Sequence, residues 1–261
     1  MSVQATAVLA GELTKIRTVR STAWTLLAAV AVSVGLSALI GANTAATYAS
    51  LPPDRQRAFD PLSATFYSLT LGQLAIVVFG VLVVGGEYSA GTMLASLTAV
   101  PRRGLLYGAK VLACGLCALG ASVVTVLCTF VVAQAALGRH GTSLGADGVP
   151  RAVVGACAYL TLICLFSMGV ATMLRGSTLA LAILLPLFFL GAQGLGNIPK
   201  IRMVTQYLPD QAGWVIMHLT GPAGDPQFGR PYGPWAGLGI LALWTGAALA
   251  GGYAVLRRGD A

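Results

Sequence analysis

Reactive side chains are scarce in this sequence, and the largest group of them lies in the stretch "GEYSAGTMLASLTAVPRRGLLYGAK", residues 86–110. This stretch contains the carboxylate Glu87 and the cations Arg102, Arg103 and Lys110. Acid–base and nucleophilic catalysis need paired acids, or a nucleophile beside a base, and the stretch has neither. The stretch is therefore a candidate contact surface rather than a catalytic site.

Cysteine and histidine offer no alternative reactive centre. Cys114 and Cys117 have the spacing of a metal-binding pair, but no further Cys/His pair stands near them to complete four ligands. His140 and His218 have no acid or cysteine at ligand spacing. We therefore predict no catalytic residue, no metal site and no cofactor bound by this chain.

Hydrophobic residues make up 56% of the 261 positions and charged residues only 9%, against roughly 25% charged in a soluble domain. Apolar runs of about 18 or more residues predict membrane-spanning helices. Six such runs occur, at about 22–42, 67–85, 111–136, 152–174, 177–197 and 235–256. They are continuous rather than alternating, which favours helices over a lipid-exposed β-barrel. The predicted fold class is an all-α polytopic membrane protein with one transmembrane domain over residues 1–261.

The formal net charge is +8, and the cations flank the apolar runs instead of forming an aromatic-studded face. We assign them to membrane topology and anionic lipid headgroups, and expect no nucleic-acid partner. Placing both termini in the cytoplasm gives the higher density of cations on that side. The cations placed there are Lys15, Arg17, Arg20, Arg102, Arg103, Lys110, Arg175, Arg257 and Arg258.

Local signals refine this layout. Gly85 and Gly86 predict an interruption at the end of the second span, and Pro186 predicts a kink in the fifth. The short link at residues 175–177 predicts a tight hairpin between spans four and five. In the last outer loop, Asp210 predicts the N-cap of a short helix at the outer interface.

A short helix is predicted within residues 86–110, on the cytoplasmic side between spans two and three. Apolar residues at three- and four-residue spacing form one stripe on it, and Pro101 ends it. Glu87 is expected before or in its first turn, where a negative charge complements the helix dipole. The helix either links two spans along the membrane surface or docks a soluble partner, and both interpretations remain open at this point.

The order of residues in this stretch resembles the signature of ABC-2 type permeases, the membrane subunits of many bacterial ATP-driven exporters. The matching residues are Glu87, Gly91, Thr92, Leu97, Pro101, Arg103 and Lys110. The resemblance implies a coupling helix that sits in a cleft of a cytoplasmic ABC ATPase and includes Arg102. It also implies that residues 1–21 form an amphipathic connecting helix beside it, on the inner surface of the bacterial plasma membrane.

The resemblance further implies a dimer with a second permease copy, identical or a close paralogue, and Mg-ATP bound by the partner ATPase. The path would lie between the copies, lined by spans two and five. Polar candidates for that lining are Thr70, Gln73, Gln193 and Asn197. Because the spans contain almost no charge, an amphiphilic or hydrophobic cargo is expected to be exported.

The chain has no Gly-x-x-x-x-Gly-Lys-Ser/Thr phosphate loop, so the energy for transport must come from a partner or a gradient. An ion-coupled secondary transporter is one alternative, although such proteins usually place ionisable residues at mid-membrane. A membrane protein that binds a partner without transport, as an immunity protein does, is another alternative.

Overall fold

The structure is a computed structural model that describes residues 3–222, 225 and 228–258, so the first two residues of the predicted N-terminal segment lie outside it. Every regular element in these ranges is helical. The α-helices are α1 Val3–Thr18, α2 Arg20–Thr47, α3 Pro53–Arg57, α4 Pro61–Phe66, α5 Leu69–Ser89, α6 Met93–Ala99, α7 Arg103–Leu137, α8 Val149–Leu174, α9 Ser177–Ala192, α10 Arg202–Thr205, α11 Pro209–Ala212 and α12 Pro234–Arg258.

The long helices run between two ends of one bundle. At the first end, Ser89 at the close of α5 meets Ser177 at the start of α9, with their hydroxyls 2.9 Å apart. Arg103 at the start of α7 meets Leu256 near the end of α12. We name this the termini end, because α1 and the last turn of α12 also lie there. The opposite, loop end contains α3, α4, α10 and α11.

Five segments are long and apolar enough to cross a membrane, which confirms the prediction of an all-helical, multi-pass membrane protein. They are Arg20–Ser50, Pro61–Ser89, Arg103–His140, Val149–Leu174 and Pro234–Arg258. The helices α5 and α8 occupy the centre, since 67% of the apolar window of each is buried inside the protein. The α2 window is only 22% buried and exposes Trp24 and Leu39 to the surroundings.

The predicted span at 177–197 is wrong at its C-terminal end, because the helix α9 covers only Ser177–Ala192. Its 16 residues rise about 24 Å, less than the roughly 30 Å of a hydrocarbon core. The helix ends where Gln193 caps it and Gly194 takes a left-handed φ of 92°. Pro186 lies inside it as expected, and α8 passes directly into α9 through Arg175 and Gly176.

The predicted interruption at Gly85 and Gly86 is also wrong, because α5 continues through both to Ser89. A side chain at Gly85 would approach the backbone of Ser177 to 2.9 Å. This glycine therefore allows α5 and α9 to pack closely and does not break the helix.

Candidate functional site

The helix α6 lies between the end of α5 and the start of α7 at the termini end. It buries Met93 and Leu97 against the bundle and leaves Leu94 55% exposed. Of the two predicted positions for Glu87, the structure shows the one before the first turn of α6, since Glu87 lies in the last turn of α5. Since α5 extends further than the glycines suggested, the carboxylate points back into the bundle rather than along α6.

Four charged side chains form a closed ring beneath α6. Lys110 Nζ donates to Glu12 Oε2 at 2.7 Å and to Glu87 Oε1 at 2.5 Å. Lys15 Nζ donates to Glu12 Oε1 at 2.9 Å and to Glu87 Oε1 at 3.1 Å. It also donates to Ser96 Oγ on α6 at 3.0 Å. The charge ring thus connects α1, α5 and α7 to one another and to α6.

Burial differs strongly around the charge ring. The Lys110 side chain is fully buried and those of Glu12 and Glu87 nearly so, whereas Lys15 is 45% exposed. Burying a lone ammonium group is costly, but here two carboxylates satisfy it. Burial lowers the pKa of Lys15, but its hydrogen bonds and charge interactions with Glu12 and Glu87 outweigh this, so the pKa is raised. The balanced charges keep the three helices in contact.

The other predicted coupling residues divide into two groups. Gly91, Thr92, Pro101 and Arg102 are exposed around α6, and Gly91 has the positive φ of 69° that its turn requires. Arg103 is half-buried, and its Nη1 donates to the carbonyl oxygens of Leu256 at 2.7 Å and Arg257 at 3.3 Å. Arg103 therefore caps the C-terminus of α12, where a cation also suits the helix dipole.

The predicted path residues do not share one environment. Thr70 and Gln73 are buried in α5, where the Tyr159 hydroxyl donates to Gln73 Oε1 and Gln73 Nε2 donates to the Thr70 carbonyl at 2.9 Å. Gln193 and Asn197 lie beyond the end of α9. Gln193 is exposed there. Both pairs nevertheless lie near the loop end, one buried at the start of α5 and the other after the end of α9.

Residues Pro209–Met217 form a mostly buried segment that is inserted into the loop end, and we name it the plug. Ile216 packs where α8 has only a glycine, Gly155, and Gly213 packs on the ring of Tyr159. The predicted N-cap at Asp210 is wrong: Leu208 holds that position without a side-chain hydrogen bond, and Asp210 lies within the first turn of α11. Pro209 starts this turn, so the carboxylate is directed into the protein.

Asp210 and Arg230 lie in the same polar cluster but are separated by an amide. Gln211 Nε2 donates to Asp210 Oδ2 at 2.7 Å and to the Gly191 carbonyl at 3.1 Å. Its Oε1 accepts a hydrogen bond from Arg230 Nη2 at 3.1 Å, and the same nitrogen donates to Asn197 Oδ1 at 3.0 Å. Burial raises the pKa of Asp210 to about 6, against weaker lowering by Gln211 and Arg230. The sequence signals of this cluster were the acid after Pro209 and the polar path candidate Asn197.

A hydrogen bond between His218, the residue after the plug, and Asp60 connects this segment to α4. His218 Nδ1 lies 2.7 Å from Asp60 Oδ2, and Asp60 Oδ1 accepts the Leu62 N–H at 2.8 Å, which caps α4. Burial raises the pKa of Asp60, but the His218 and Leu62 hydrogen bonds outweigh it, so the pKa is lowered. The pair borders an open cavity of about 890 Å³, with Arg151 on its wall.

The described residues contain no group of three or more His, Cys, Asp or Glu side chains that could hold a metal ion. Cys114 does not pair with Cys117. Its Sγ lies instead 3.7 Å from the Sγ of Cys164, and both thiols are buried between α7 and α8.

One family model, described as ABC-2 family transporter protein, matches residues 54–261. No curated protein matches the chain. The matched range contains Glu87 and Lys110, whereas Glu12 and Lys15 precede it. Two of the four charges in the ring therefore come from outside the matched segment.

Proposed function

Because this chain belongs to the ABC-2 transporter family, we propose that it is the permease subunit of an ATP-binding-cassette exporter, driven by separate cytoplasmic ATPase subunits. The family is a membrane transport domain and not an ATPase. ABC-2 permeases typically work with ATP-binding subunits, so Mg-ATP is assigned to the partner. A second permease copy, identical or a close paralogue, completes the assembly.

The position of α6 carries this proposal. This short helix lies at the edge of the bundle, held by Met93 and Leu97, with the apolar side chain of Leu94 on its outer face beside Thr98. A short helix with an apolar residue among small polar ones suits insertion into a protein cleft. Gly91, Thr92, Pro101 and Arg102 border this face and extend the proposed docking surface.

The charge ring can transmit a displacement of α6 to the membrane-spanning helices. Ser96 on α6 contacts Lys15, and Lys15 contacts Glu87 on α5. Lys110 carries the same network into α7. Glu87 thus acts as a positioning residue within the chain, because its charge is already matched by two lysines. Buried, satisfied ion pairs favour one arrangement of the helices, so α1, α5 and α7 move together.

The orientation follows from the cations at the termini end, which include Arg17, Arg20, Arg102, Arg175 and Arg258. By the positive-inside rule this end faces the cytoplasm of a bacterial plasma membrane, and α6 is then accessible to the ATPase. The short helix α9 is assigned as the sixth crossing, because it runs from the termini end to the loop end. Membrane lipids surround the exposed faces of α2 and α12.

An amphiphilic or hydrophobic cargo fits the chemistry of the bundle. Beside the charge ring lies a cavity of about 480 Å³ between α1, the start of α2, and α5, where apolar side chains such as Ile16, Leu82 and Val83 face the charged groups of the ring. Thr70 and Gln73 in α5, with Gln193 and Asn197 beyond α9, are the proposed polar contacts along the path.

Purification of the tagged chain from its native membranes in mild detergents tests this proposal. We expect mass spectrometry to identify a stoichiometric ATPase bearing a phosphate loop. Leu94→Asp on the exposed face of α6 should abolish its recovery, whereas Ser143→Asp, an exposed residue at the loop end, should not. A chain that purifies alone, or with an unrelated partner, in several detergents would overturn the proposal.

A second variant separates docking from coupling. Glu87→Gln leaves the outer face of α6 unchanged, so the ATPase should still be recovered with it. Transport-linked ATP hydrolysis should fall although the chain inserts normally, because the charge ring is broken. Unchanged hydrolysis in this variant would exclude the ring as the coupling route.

A further inference from the structure

The Asp210 carboxylate is fully buried in the plug, and its Oδ1 atom has no hydrogen-bond partner. Glycines make room for this side chain and its neighbour. A methyl group at Gly191 would overlap the Asp210 carboxylate, and one at Gly196 would overlap the Gln211 amide. The site is therefore shaped around a carboxyl group, although it satisfies only one of its two oxygens.

The groups that face Asp210 do not neutralise it. No cationic nitrogen of the described residues lies within 4.0 Å of its oxygens, because Gln211 stands between Asp210 and Arg230. The α8 helix contributes Tyr159, and the segment before α12 contributes Tyr232 together with Arg230. The helix α9 presents only the backbone of Gly191, and α12 packs Gly237 against Ala212.

Further charge near the cluster acts on Arg230 rather than on Asp210. Arg202 of α10 repels the Arg230 guanidinium, which is itself buried and has an unpartnered Nε. The burial of an ionised carboxylate without a direct counter-ion is costly, and such groups become neutral instead. The geometry thus favours the protonated acid as long as the plug is seated.

We propose that Asp210 is a proton-binding site that makes the seating of the plug depend on pH: the plug sits firmly when the carboxyl group is neutral and loosens when it is ionised. This site lies at the loop end, away from the charge ring and α6. The proposal therefore stands or falls independently of the exporter function.

The direction of the effect follows from proton linkage. Burial raises the pKa of Asp210 to about 6 in the seated plug, whereas the ordinary value is 3.8. Seating is therefore unaffected by this group below about pH 4, and it weakens as the pH rises from there through about 6. Between about pH 5 and about pH 7.5, these two pKa values give an increase of roughly tenfold in the opening equilibrium of the plug.

Hydrogen exchange on the purified full-length chain in lipid nanodiscs tests the proposal. After correction for intrinsic exchange rates, peptides covering Pro209–Met217 should open about tenfold more at about pH 7.5 than at about pH 5. Asp210→Asn should show no such difference, because its amide does not titrate. Asp147→Asn, the same change at an exposed residue of the loop end, should behave as the unmodified chain.

A pH-independent plug in the unmodified chain, or an unchanged pH response in Asp210→Asn, would overturn the proposal. If Asp210→Asn fails to fold, infrared difference spectroscopy of the unmodified chain decides the question. A neutral carboxyl band that disappears between about pH 5 and about pH 7.5 supports the proton site. Absence of such a band at about pH 5 shows an ionised Asp210 and overturns it.

Discussion

The termini end and the loop end both bury charged side chains, but they match the charges differently. At the termini end, Lys110 contacts two carboxylates directly, and each carboxylate contacts two lysines. At the loop end, Asp210 and Arg230 are separated by an amide, and each retains an unpartnered polar atom. Fully matched charges resist change, whereas partly matched charges respond to it.

This difference fits the tasks proposed for the two ends. A contact that transmits movement from α6 to the spans must remain intact while α6 moves. A closed ring of four charges suits this task. The plug, which closes the loop end, must be able to move. The Asp210 carboxyl group has one unsatisfied oxygen, and this makes the closed position of the plug less stable. Changing single charges at each end tests this contrast.

The largest expected effect comes from Lys110→Met. Removing the buried ammonium leaves Glu12 and Glu87 facing each other without a direct buried cation, which costs about 3–5 kcal/mol of folding free energy. Thermal unfolding of the purified chain should therefore begin at a clearly lower temperature. Adding Glu12→Gln should restore part of the loss, and a double variant no better than Lys110→Met would contradict a paired charge ring.

The next largest effect is a gain in stability from Asp210→Asn. The raised pKa of about 6 means that the folded state carries a growing penalty as the pH rises above 3.8, and the full penalty above about 6. We expect the variant to be about 1–3 kcal/mol more stable than the unmodified chain at neutral pH. Denaturant titrations should show this difference shrinking as the pH falls towards 4. A less stable variant at neutral pH would indicate that Arg230 stabilises an ionised Asp210.

Lys15→Gln should have a much smaller effect than Lys110→Met, although both remove a cation from the charge ring. Lys15 is 45% exposed, so water screens its ion pairs, which are expected to contribute less than about 1 kcal/mol. The same thermal unfolding measurement compares the two. Equal losses would mean that burial does not set the strength of the ring.

The smallest effect is expected for Asp60→Asn, and it should disappear at acid pH. Because the pKa of Asp60 is lowered, its stabilising contribution is present above the ordinary value of 3.8 and is lost as the pH falls through the folded value below it. The unmodified chain should lose stability over this range slightly more steeply than the variant. Parallel pH profiles would show that the contact with His218 does not stabilise the fold.

Much of the architecture follows from the sequence because lipid imposes a simple rule. A continuous apolar run long enough to cross the membrane has to be helical, so the positions of α2, α5, α7, α8 and α12 were predictable. The C-terminal end of α9 was not predictable from the sequence. The glycines that follow Ala192 do not interrupt the apolar run, so the run continues beyond the helix. At Gly85 the sequence wrongly predicts a helix end. A glycine that permits close helix packing cannot be told from one that breaks a helix by sequence alone.

The candidate sites were less predictable, because their partners lie far apart along the chain. Lys110 meets Glu87 across 23 residues and Glu12 across 98. Local patterns showed that Glu87 and Lys110 were unusual in an apolar chain, but could not show that they pair with each other. The sequence around Asp210 has the pattern of a helix cap, and an exposed cap and a buried carboxyl group look alike in sequence.

The Arg103 contact with α12 has a consequence for how the molecule is made. A ribosome adds Leu256 153 residues after Arg103, so the carbonyl that receives this guanidinium exists only once nearly all of the described chain has been synthesised. Until α12 has entered the bilayer, the start of α7, which follows α6 in the chain, lacks this contact. If α6 is the docking surface proposed above, partner assembly on it should follow completion of the last helix, so that unfinished chains do not recruit the proposed ATPase.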